Sequence, residues 1–410
     1  MFLILASLPS QLVEFRRLAR ILRDRGEIVR LLVEHEQLLT EPGAELLPRF
    51  DGQSLPVWAK LAVMIPGSKG FSKTVSGSFV AAQREYERAA PKAVIVGEDG
   101  VGGNLAWIAA AKERNIPVII MPYEYSGVEQ AIAAIRPNLR DFLVSGLLAK
   151  IFAKLRPAWM RVIDGYEVLR LPFRYALGYE LVGVAPPNPW AVHGGNAGVL
   201  LAESAQMVAH YEKEGVPLAK IAHVGSLALD DLHEAIKQAP PREGPLRILC
   251  ALPPDYTIDR GPMPYRELIA VWLEEAMKYG HVTVQAHPSA RESLRAIGVQ
   301  FDTRDITTLI AENDLLVTSV SSIIRYALAA GRPVLNFDCY NFDYRDYDAA
   351  AGCSTVSSMC GYARMLTEIS GDYEHFQRRA APDAATWGVI DGRAADRIAA
   401  VLGLSGQATA

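Results

Sequence analysis

Short apolar runs alternate with helical patterns along most of the chain. In the first half, four apolar runs predict buried strands, at residues 2–6, 28–33, 93–96 and 118–121, and only the second of them contains a charged residue, Arg30. Apolar residues at three- and four-residue intervals predict helices over residues 10–25 and 104–114. Because the strands are apolar without strict alternation, we expect helices to cover both faces of their sheet.

The second half repeats this alternation. It predicts strands at residues 247–251, 281–285, 315–318 and 333–337, and helices over residues 265–279, 307–312 and 322–330. A Pro- and Gly-rich stretch over residues 238–245 has the composition of a linker. We therefore expect an N-terminal domain over residues 1–238, a C-terminal domain over residues 245–385, and a last segment, 386–410, whose helix can return to the N-terminal domain.

Strands and helices in alternation are typical of parallel sheets joined by right-handed crossovers. The sequence therefore predicts an α/β fold with two Rossmann-like, doubly wound domains that face a central cleft. Ligands of such sheets bind beyond the carboxyl ends of the strands. Polar residues that directly follow a strand are therefore the candidates for a functional site.

The composition limits which binding partners and which cellular compartment we expect for this protein. The 410 residues carry a formal net charge of -4, which does not favour nucleic acid as a partner. The four cysteines form no CxxC pair, so we expect no metal site and buried free thiols in a reducing cytoplasm. The apolar N-terminus predicts a strand rather than a signal peptide, and no uncharged run reaches the roughly 18–20 residues of a membrane span.

Two acidic residues, Glu98 and Asp99, follow the strand at residues 93–96. A carboxylate at a strand end can act as a general base. Neighbouring side chains in extended backbone point in opposite directions, so we expect one acid to face the ligand and the other to cap the next helix. A solvated turn with an acidic N-cap is the alternative. The glycines around them lack the spacing of a dinucleotide-binding loop, so no cofactor is expected.

Three further loops offer groups that can bind phosphate. His287 and Pro288 follow the strand at residues 281–285, where proline fixes a turn and the imidazole can donate a hydrogen bond, although a purely structural turn is the alternative. Small hydroxyl residues precede a helix after the strand at 315–318, and they can bind phosphate, cap the helix, or do both. The candidates in this loop and after a short apolar run at residues 221–224 are Ser319, Ser321, Ser322, Gly225 and Ser226.

In three short motifs the chain resembles bacterial sialyltransferases and related transferases of CMP-activated sugars: Glu98-Asp99-Gly100, His287-Pro288 and Ser321-Ser322. The resemblance implies a GT-B fold and activity without a bound divalent metal. It also implies that Glu98 is the general base, that His287 meets the donor phosphate, and that Ser321 and Ser322 bind this phosphate as well. The base is often Asp in that group, so Asp99 remains a competitor.

The resemblance implies an inverting glycosyltransferase that moves a CMP-activated acidic sugar to a glycan or lipid-linked glycan in bacterial surface polysaccharide synthesis. Four residues are candidates for contact with the acceptor or the sugar: Gly100, Asn104, Tyr123 and Tyr344. Tyr344 belongs to an aromatic, acidic loop, residues 338–347, for which a packed surface loop is an equal alternative. The C-terminal half also resembles nucleotide-sugar 2-epimerases and polyol-phosphate transferases. A UDP-sugar 2-epimerase or hydrolase is therefore an alternative function, as is a non-catalytic polysaccharide-assembly protein.

Residues 139–179 differ from the rest of the chain. Apolar and aromatic residues, including Phe152 and Trp159, recur at helical spacing with lysines and arginines between them. A basic amphipathic helix of this kind can lie in a membrane interface, so we expect an insertion with peripheral contact at the inner face of the cell membrane. A helix packed on the sheet with a solvated basic face is the alternative.

Overall fold

The computed structural model describes residues 1–39, 43–48, 69–101, 104–122, 125, 127–193, 195, 197–256, 263–319, 321–343 and 345–404. The chain divides into two compact units. The first contains Met1–Ala202, Val208–His223 and the end of the chain from Ile398, and the second contains Glu203–Met207 and Val224–Arg397. The domain boundaries expected from the sequence stay predictions.

The described residues of the first unit form nine strands. In chain order they are β1 (Phe2–Ala6), β2 (Val29–Val33), β3 (Ala44–Leu46), β4 (Ala93–Val96), β5 (Val118–Ile120), β6 (Met160–Ile163), β7 (Tyr166–Leu169), β8 (Val199–Ala202) and β9 (Ile221–His223). Seven of them make one parallel sheet in the order β3-β2-β1-β4-β5-β8-β9, and β6 and β7 pair as an antiparallel hairpin. Every residue of β1, β4 and β5 is buried, as uninterrupted apolar strands covered on both faces require.

Helices connect these strands. They are α1 (Pro9–Asp24), α2 (Lys69–Ala89), α3 (Leu105–Glu113), α4 (Val128–Ile135), α5 (Leu147–Leu155), α6 (Phe173–Val182) and α7 (Ala205–Lys213). The first of them shows why the spacing predicts a helix, because Leu12, Phe15, Leu18 and Leu22 all lie on its buried face.

The second unit contains a second parallel sheet. Its strands are β10 (Leu246–Leu252), β11 (Gly280–Ala286), β12 (Leu315–Thr318), β13 (Val334–Phe337) and β14 (Cys353–Val356), in the order β11-β10-β12-β13-β14. Its helices are α8 (Leu227–Gln238), α9 (Tyr265–Met277), α10 (Arg291–Ala296), α11 (Ile306–Glu312), α12 (Ile324–Ala329), α13 (Met359–Gly371), α14 (Tyr373–Ala380) and α15 (Ala384–Trp387). The last helix, α16 (Ala394–Val401), begins in the second unit and belongs to the first unit from Ile398 onward.

An aromatic cluster forms part of the core of the second unit. The ring of Phe337 stacks on that of Tyr362 with centroids 4.8 Å apart, and Trp272 meets Phe337 edge-on at 5.1 Å. All three side chains are almost fully buried. This cluster packs α9 and α13 against β13, so helices and sheet share one core.

The α/β class with two Rossmann-like units is confirmed. One predicted helix differs at its start, because α12 begins at Ile324 and not at residue 322. Residues 322 and 323 form a turn instead, in which Ser321 Oγ accepts the N–H of Ile323 at 3.4 Å. The hydroxyl therefore stabilises the turn before the helix, and neither serine is its N-cap.

The cysteines of the chain are all free. Cys250 and Cys339 are buried and Cys353 is half-buried, but Cys360 is exposed. The expectation of buried thiols is therefore wrong for Cys360, because this residue lies in the first turn of the surface helix α13.

The segment at residues 139–179 is not one amphipathic helix. It contains a 3₁₀ segment, then α5, a second short 3₁₀ turn, the β6–β7 hairpin and the start of α6. Asp164 and Gly165, both with positive φ, form the tight turn of the hairpin. Phe152 and Trp159 are buried and not turned outward, so the prediction that they face a membrane is wrong. Among the helices in the described parts of the chain, none has the length and apolar character to cross a bilayer.

Candidate functional site

The loops after β1 and β4 meet at the point where strand order reverses in the first sheet, which is where open α/β sheets bind ligands. Gly97 follows β4, and a Cβ on it would lie 2.5 Å from Nε2 of Gln11. Gln11 Oε1 accepts the N–H of Ser7 at 2.8 Å, and Asn104 Nδ2 donates to Ser7 Oγ at 2.9 Å. Asn104, a predicted acceptor contact, therefore lies at this switch point with its amide bound to the loop after β1.

The two acids after β4 have different environments. Asp99 is fully buried, and its Oδ2 accepts the N–H of Ala197 at 2.6 Å. Its own N–H donates to the carbonyl oxygen of Val192 at 3.3 Å. The expectation that the second acid caps the next helix is wrong, because α3 begins only at Leu105 and Asp99 instead joins the β4 loop to the segment before β8.

Glu98 is half-buried, so its carboxylate is the more accessible of the two. Its charge acts on Arg170, which is half-buried just after β7 and lies 6.0 Å from the ring centroid of Trp190. Burial lowers the pKa of Arg170, and the negative charge of Glu98 opposes this effect. A carboxylate that is accessible in this way can accept a proton.

Gly100 is required by a close approach of two loops. A Cβ on it would collide with the carbonyl oxygen of Ala191 and lie 2.9 Å from Cα of Val192. Only glycine lets the β4 loop pass this segment. Contact of Gly100 with an acceptor stays a prediction. Tyr123 and Tyr344, the other two predicted contacts, lie outside the described residues.

His193 lies buried next to the segment that holds Asp99. Its ring stacks on Tyr211 with centroids 5.2 Å apart and an interplanar angle of 26°. Burial, assisted by the nearby His210, lowers the pKa of His193 to about 3. The buried imidazole is therefore neutral in the folded protein at physiological pH.

This burial predicts acid sensitivity of the fold. Below pH 6.5 an unfolded His193 takes up a proton that the folded chain does not bind, so stability falls as the pH falls. Between pH 6.5 and pH 5 we expect the wild type to lose about 1.6 kcal/mol more than His193→Phe, which has no group to titrate at this position. Urea unfolding of both proteins at the two pH values measures the difference. Equal losses would contradict the buried neutral imidazole.

His287 lies directly after β11, on a turn. Its ring is exposed at the surface, and Ser289 donates its backbone N–H to Nδ1 at 3.3 Å while Ser289 Oγ lies 2.7 Å from the same atom. Since a backbone N–H can only donate, Nδ1 is the acceptor and Nε2 carries the proton of the neutral ring. Pro288 begins the 3₁₀ turn Pro288–Ala290 that fixes this geometry. The ring thus offers an Nε2–H donor.

Arg291 adds positive charge at the same turn. Although part of His287 is exposed, the groups packed around its ring limit hydration of the charged form, and this desolvation together with the charge of Arg291 lowers the pKa of His287, so the neutral imidazole dominates at pH 7. Among the described residues no partner satisfies the buried Nε of Arg291. A neutral N–H donor and a cation at the carboxyl end of a strand are suited to an anion such as phosphate.

The serine loop after β12 lies at the switch point of the second sheet, where strand order reverses between β10 and β12. Ser319 is buried, and Cys339 Sγ lies 3.6 Å from its Oγ. Ser321 is half-buried and Ser322 is exposed. The position of Ser321 and Ser322 at the switch point agrees with a role in ligand binding, and phosphate binding by this loop stays a prediction.

Gly225 and Ser226 have structural partners. Gly225 has a φ of +86°, and a Cβ on it would lie 2.7 Å from Nη2 of Arg397. Ser226 is buried, and its Oγ donates to Oε1 of Glu203 at 3.3 Å. Since the hydroxyl is buried and already bonded, the structure gives both residues a packing role, and their predicted phosphate contact has no support in this geometry.

Glu203 also forms a buried ion pair that the sequence did not reveal. Nε of Arg325, on α12, donates to Glu203 Oε2 at 2.7 Å, and both side chains are at most 8% exposed. The guanidinium also binds the carbonyl oxygen of Ser322 at 2.9 Å and the hydroxyl of Tyr326 at 2.9 Å. Burial alone would lower the pKa of Arg325, but Glu203 outweighs it and the pKa is raised. The pair ties the serine loop to the residues around Ser226.

The aromatic loop after β13 is buried at both of its ends and exposed between them at Asn341, Asp343, Arg345 and Asp346. Tyr340 is buried and its hydroxyl donates to the carbonyl oxygen of Pro254 at 3.1 Å, and Tyr347 lies against Trp387. An exposed ring, Tyr256, stands edge-on to Tyr340 at 5.4 Å. Tyr256 follows β10 at the switch point, so it is a candidate for contact with a base or sugar that sequence reasoning missed.

Within the described residues no three carboxylate, histidine or cysteine side chains lie close enough together to hold a metal ion. The sequence signals that could have found Arg170 and Tyr256 are weak. Each is a single residue after a strand or a turn, without a motif around it.

No protein-family model matches the chain, and no curated protein matches it significantly. Solved structures do match. A UDP-GlcNAc 2-epimerase from Neisseria meningitidis, bound to UDP-GlcNAc, is 14% identical over 98% of this chain and 99% of its own, with a TM-score of 0.54. The glycotransferase of kitacinnamycin is 13% identical over 97% of each chain, with a TM-score of 0.53. The wall teichoic acid polymerase TagF is 12% identical over 98% of this chain and 88% of its own, with a TM-score of 0.55. The chain thus has the two-Rossmann-domain fold of GT-B type that these enzymes share.

Proposed function

We propose that this protein is an enzyme of nucleotide-activated sugars, and specifically an inverting glycosyltransferase. The observation that carries the proposal is the difference in environment between the two acids after β4. Asp99 is buried and bonded to Ala197, while Glu98 remains half-exposed at the switch point beside the charge of Arg170. An accessible carboxylate at this place is suited to general-base catalysis.

In this proposal Glu98 accepts the proton of an acceptor hydroxyl as the hydroxyl oxygen attacks the anomeric carbon. The bond from that carbon to the phosphate oxygen breaks, and the nucleotide leaves with the electron pair. His287 donates its Nε2–H to the departing phosphate, and the charge of Arg291 stabilises it. The exposed Ser322 and half-buried Ser321 add donors to the same phosphate.

For the donor we propose a CMP-activated acidic sugar, and for the acceptor a glycan or lipid-linked glycan. Two observations support a cytidine nucleotide. The three motifs match those of transferases of CMP-activated sugars, and TagF, which shares the fold, was studied with CDP-glycerol.

The donor prediction is tested by thermal unfolding with CMP, CDP, UDP, GDP and TDP. A nucleotide that binds only the folded chain, at about 100 times its Kd, adds about 2.7 kcal/mol of stability. We expect CMP or CDP to raise the Tm most. His287→Ala should lose this shift, because it removes the Nε2–H donor. His281→Ala is the matched control, since His281 is an exposed histidine near the other end of β11. If none of the nucleotides raises the Tm, the proposal is wrong.

A UDP-GlcNAc 2-epimerase or hydrolase is the second candidate, because such an epimerase matches this chain over 98% of its length. That enzyme needs no acceptor. A proton NMR spectrum of the protein incubated with UDP-GlcNAc alone distinguishes the two functions. New signals of an epimer or free sugar, together with a Tm shift by UDP and not by CMP, would replace the transferase with the epimerase or hydrolase.

A further inference from the structure

Helix α5 has an exposed apolar face. Four of its side chains are 46–75% exposed, and they are Leu147, Leu148, Ile151 and Leu155. At about 100° per residue, these four lie within an arc of about 100° on the helix surface. Large apolar side chains that cluster on one face, and are not scattered singly, mark a surface that contacts another apolar phase. We call these four residues the α5 apolar face.

The opposite side of the helix is fixed in the fold. Ala149, Phe152 and Ala153 are buried, and the ring of Phe152 meets that of Phe173 edge-on at 5.6 Å. Just after the helix, Arg156 Nε donates to Oε2 of Glu180 at 2.8 Å. The α5 apolar face is therefore presented by an anchored helix and does not arise from a frayed segment.

Basic residues border the α5 apolar face. Lys150 and Lys154 are exposed and lie on the side of the helix next to Leu147. Residues 136–170 contain seven lysines and arginines but only three acidic residues, a net charge of +4, whereas the rest of the chain carries -8. The segment that carries the α5 apolar face is thus basic, in a protein that is acidic elsewhere.

We propose that the α5 apolar face docks on an anionic lipid bilayer, with its leucines in the interface and Lys150 and Lys154 at the headgroups. A second copy of this chain is a poorer occupant, because pairing two such faces would bring like charges together. The charge and the apolar residues together match the two attractions that bind an amphipathic helix to a membrane.

Docking on a bilayer also indicates the class of the acceptor, and this inference rests on the proposed function. Arg170, on which the charge of Glu98 acts, directly follows the hairpin that comes after α5 in the same segment. A chain docked through this segment meets acceptors that are held in the bilayer. The acceptor is therefore a lipid-linked glycan and not a free oligosaccharide.

The test is flotation of the full chain with vesicles of phosphatidylglycerol and phosphatidylcholine, compared with phosphatidylcholine alone. We expect binding to the anionic vesicles. The triple variant Leu147→Gln, Leu148→Gln and Leu155→Gln keeps good helix formers and should bind roughly tenfold more weakly or worse. The matched control replaces three exposed apolar residues elsewhere, Leu218→Gln, Ile236→Gln and Met277→Gln, and should bind like the wild type.

The charge is tested separately. Lys150→Gln with Lys154→Gln should weaken binding about 30-fold, which corresponds to about 1 kcal/mol for each lysine near an anionic surface. Lys112→Gln with Lys213→Gln, two exposed lysines on other helices, is the control. High salt should reduce wild-type binding in the same direction.

Three results would overturn docking: a folded wild type that does not float with anionic vesicles, a triple variant that floats as well as its control, or a wild-type dimer that the triple variant disperses without any vesicle binding. The nucleotide Tm shifts are measured without vesicles. Failure of docking therefore leaves those shifts in place, whereas failure of the proposed function abolishes the shifts and leaves flotation unchanged.

Discussion

Replacement of Glu98 by glutamine is expected to lower kcat by about 10²- to 10⁴-fold, because a positioned general base contributes a rate factor of this size. The amide keeps the shape and the half-exposed position of the side chain but cannot accept a proton. The Tm should stay close to that of the wild type. Transfer kinetics with the donor identified by the Tm screen measure the effect, and Glu129→Gln, an exposed acid on α4, is the control.

Replacement of the neighbouring acid, Asp99, should reduce stability more than activity, which is the opposite of the effect expected for Glu98→Gln. Asp99→Ala removes the acceptor of the Ala197 N–H inside the protein, and an unsatisfied buried donor costs about 1–3 kcal/mol of stability. Its kcat, measured on the folded fraction, should fall far less than that of Glu98→Gln. Full activity of Glu98→Gln would exclude Glu98 as the base. A biological role that survives both changes would favour the non-catalytic alternative.

Replacement of Arg325 by methionine is expected to lower the free energy of unfolding of the second unit by about 3–5 kcal/mol. The change leaves the carboxylate of Glu203 buried without its cation, and breaking one side of a buried pair has costs of this size. Urea unfolding followed by circular dichroism measures the loss. The double variant Arg325→Met with Glu203→Leu removes both charges and should recover much of the stability, because an apolar pair needs no desolvation of ions.

Arg304 provides the matched control for Arg325. It pairs with Asp302 at 2.8 Å and with Glu312 at 2.8 Å, but its side chain is 51% exposed. Surface pairs contribute about 0–1 kcal/mol, so Arg304→Met should cost far less than Arg325→Met. If the two variants lose equal stability, burial is not what makes the Glu203–Arg325 pair important.

The fold was predictable because its signals are local. An apolar run such as residues 93–96 indicates a strand whose two faces are both buried. The spacing of Leu12, Phe15 and Leu18 indicates one buried face of a helix. Helix α2 was missed in the sequence, although Val75, Phe79, Ala82 and Tyr86 recur at three- and four-residue spacing and are all buried. The helical spacing over residues 139–179 did not reveal that this segment contains several short elements, because spacing alone does not show where a chain turns.

The candidate site was predictable only in outline. Polar residues after strands place Glu98, His287 and Ser321 at carboxyl ends of parallel strands, and the structure has them there. The environments of these side chains could not be predicted from the sequence, because each environment depends on residues far along the chain. The loop before β8 buries Asp99, and the hairpin after α5 brings Arg170 to Glu98.

The sequence by itself determined the alternation of strands and helices, the α/β class and the positions at which polar groups follow strands, since each depends on neighbours within a few residues. Only the tertiary structure decided which of two adjacent acids stays accessible, which arginine is buried with Glu203, and which face of α5 is left uncovered. Burial and charge pairing are set by contacts between distant segments, and hydrophobic periodicity shows that a helix has a buried face without showing what lies against its other side.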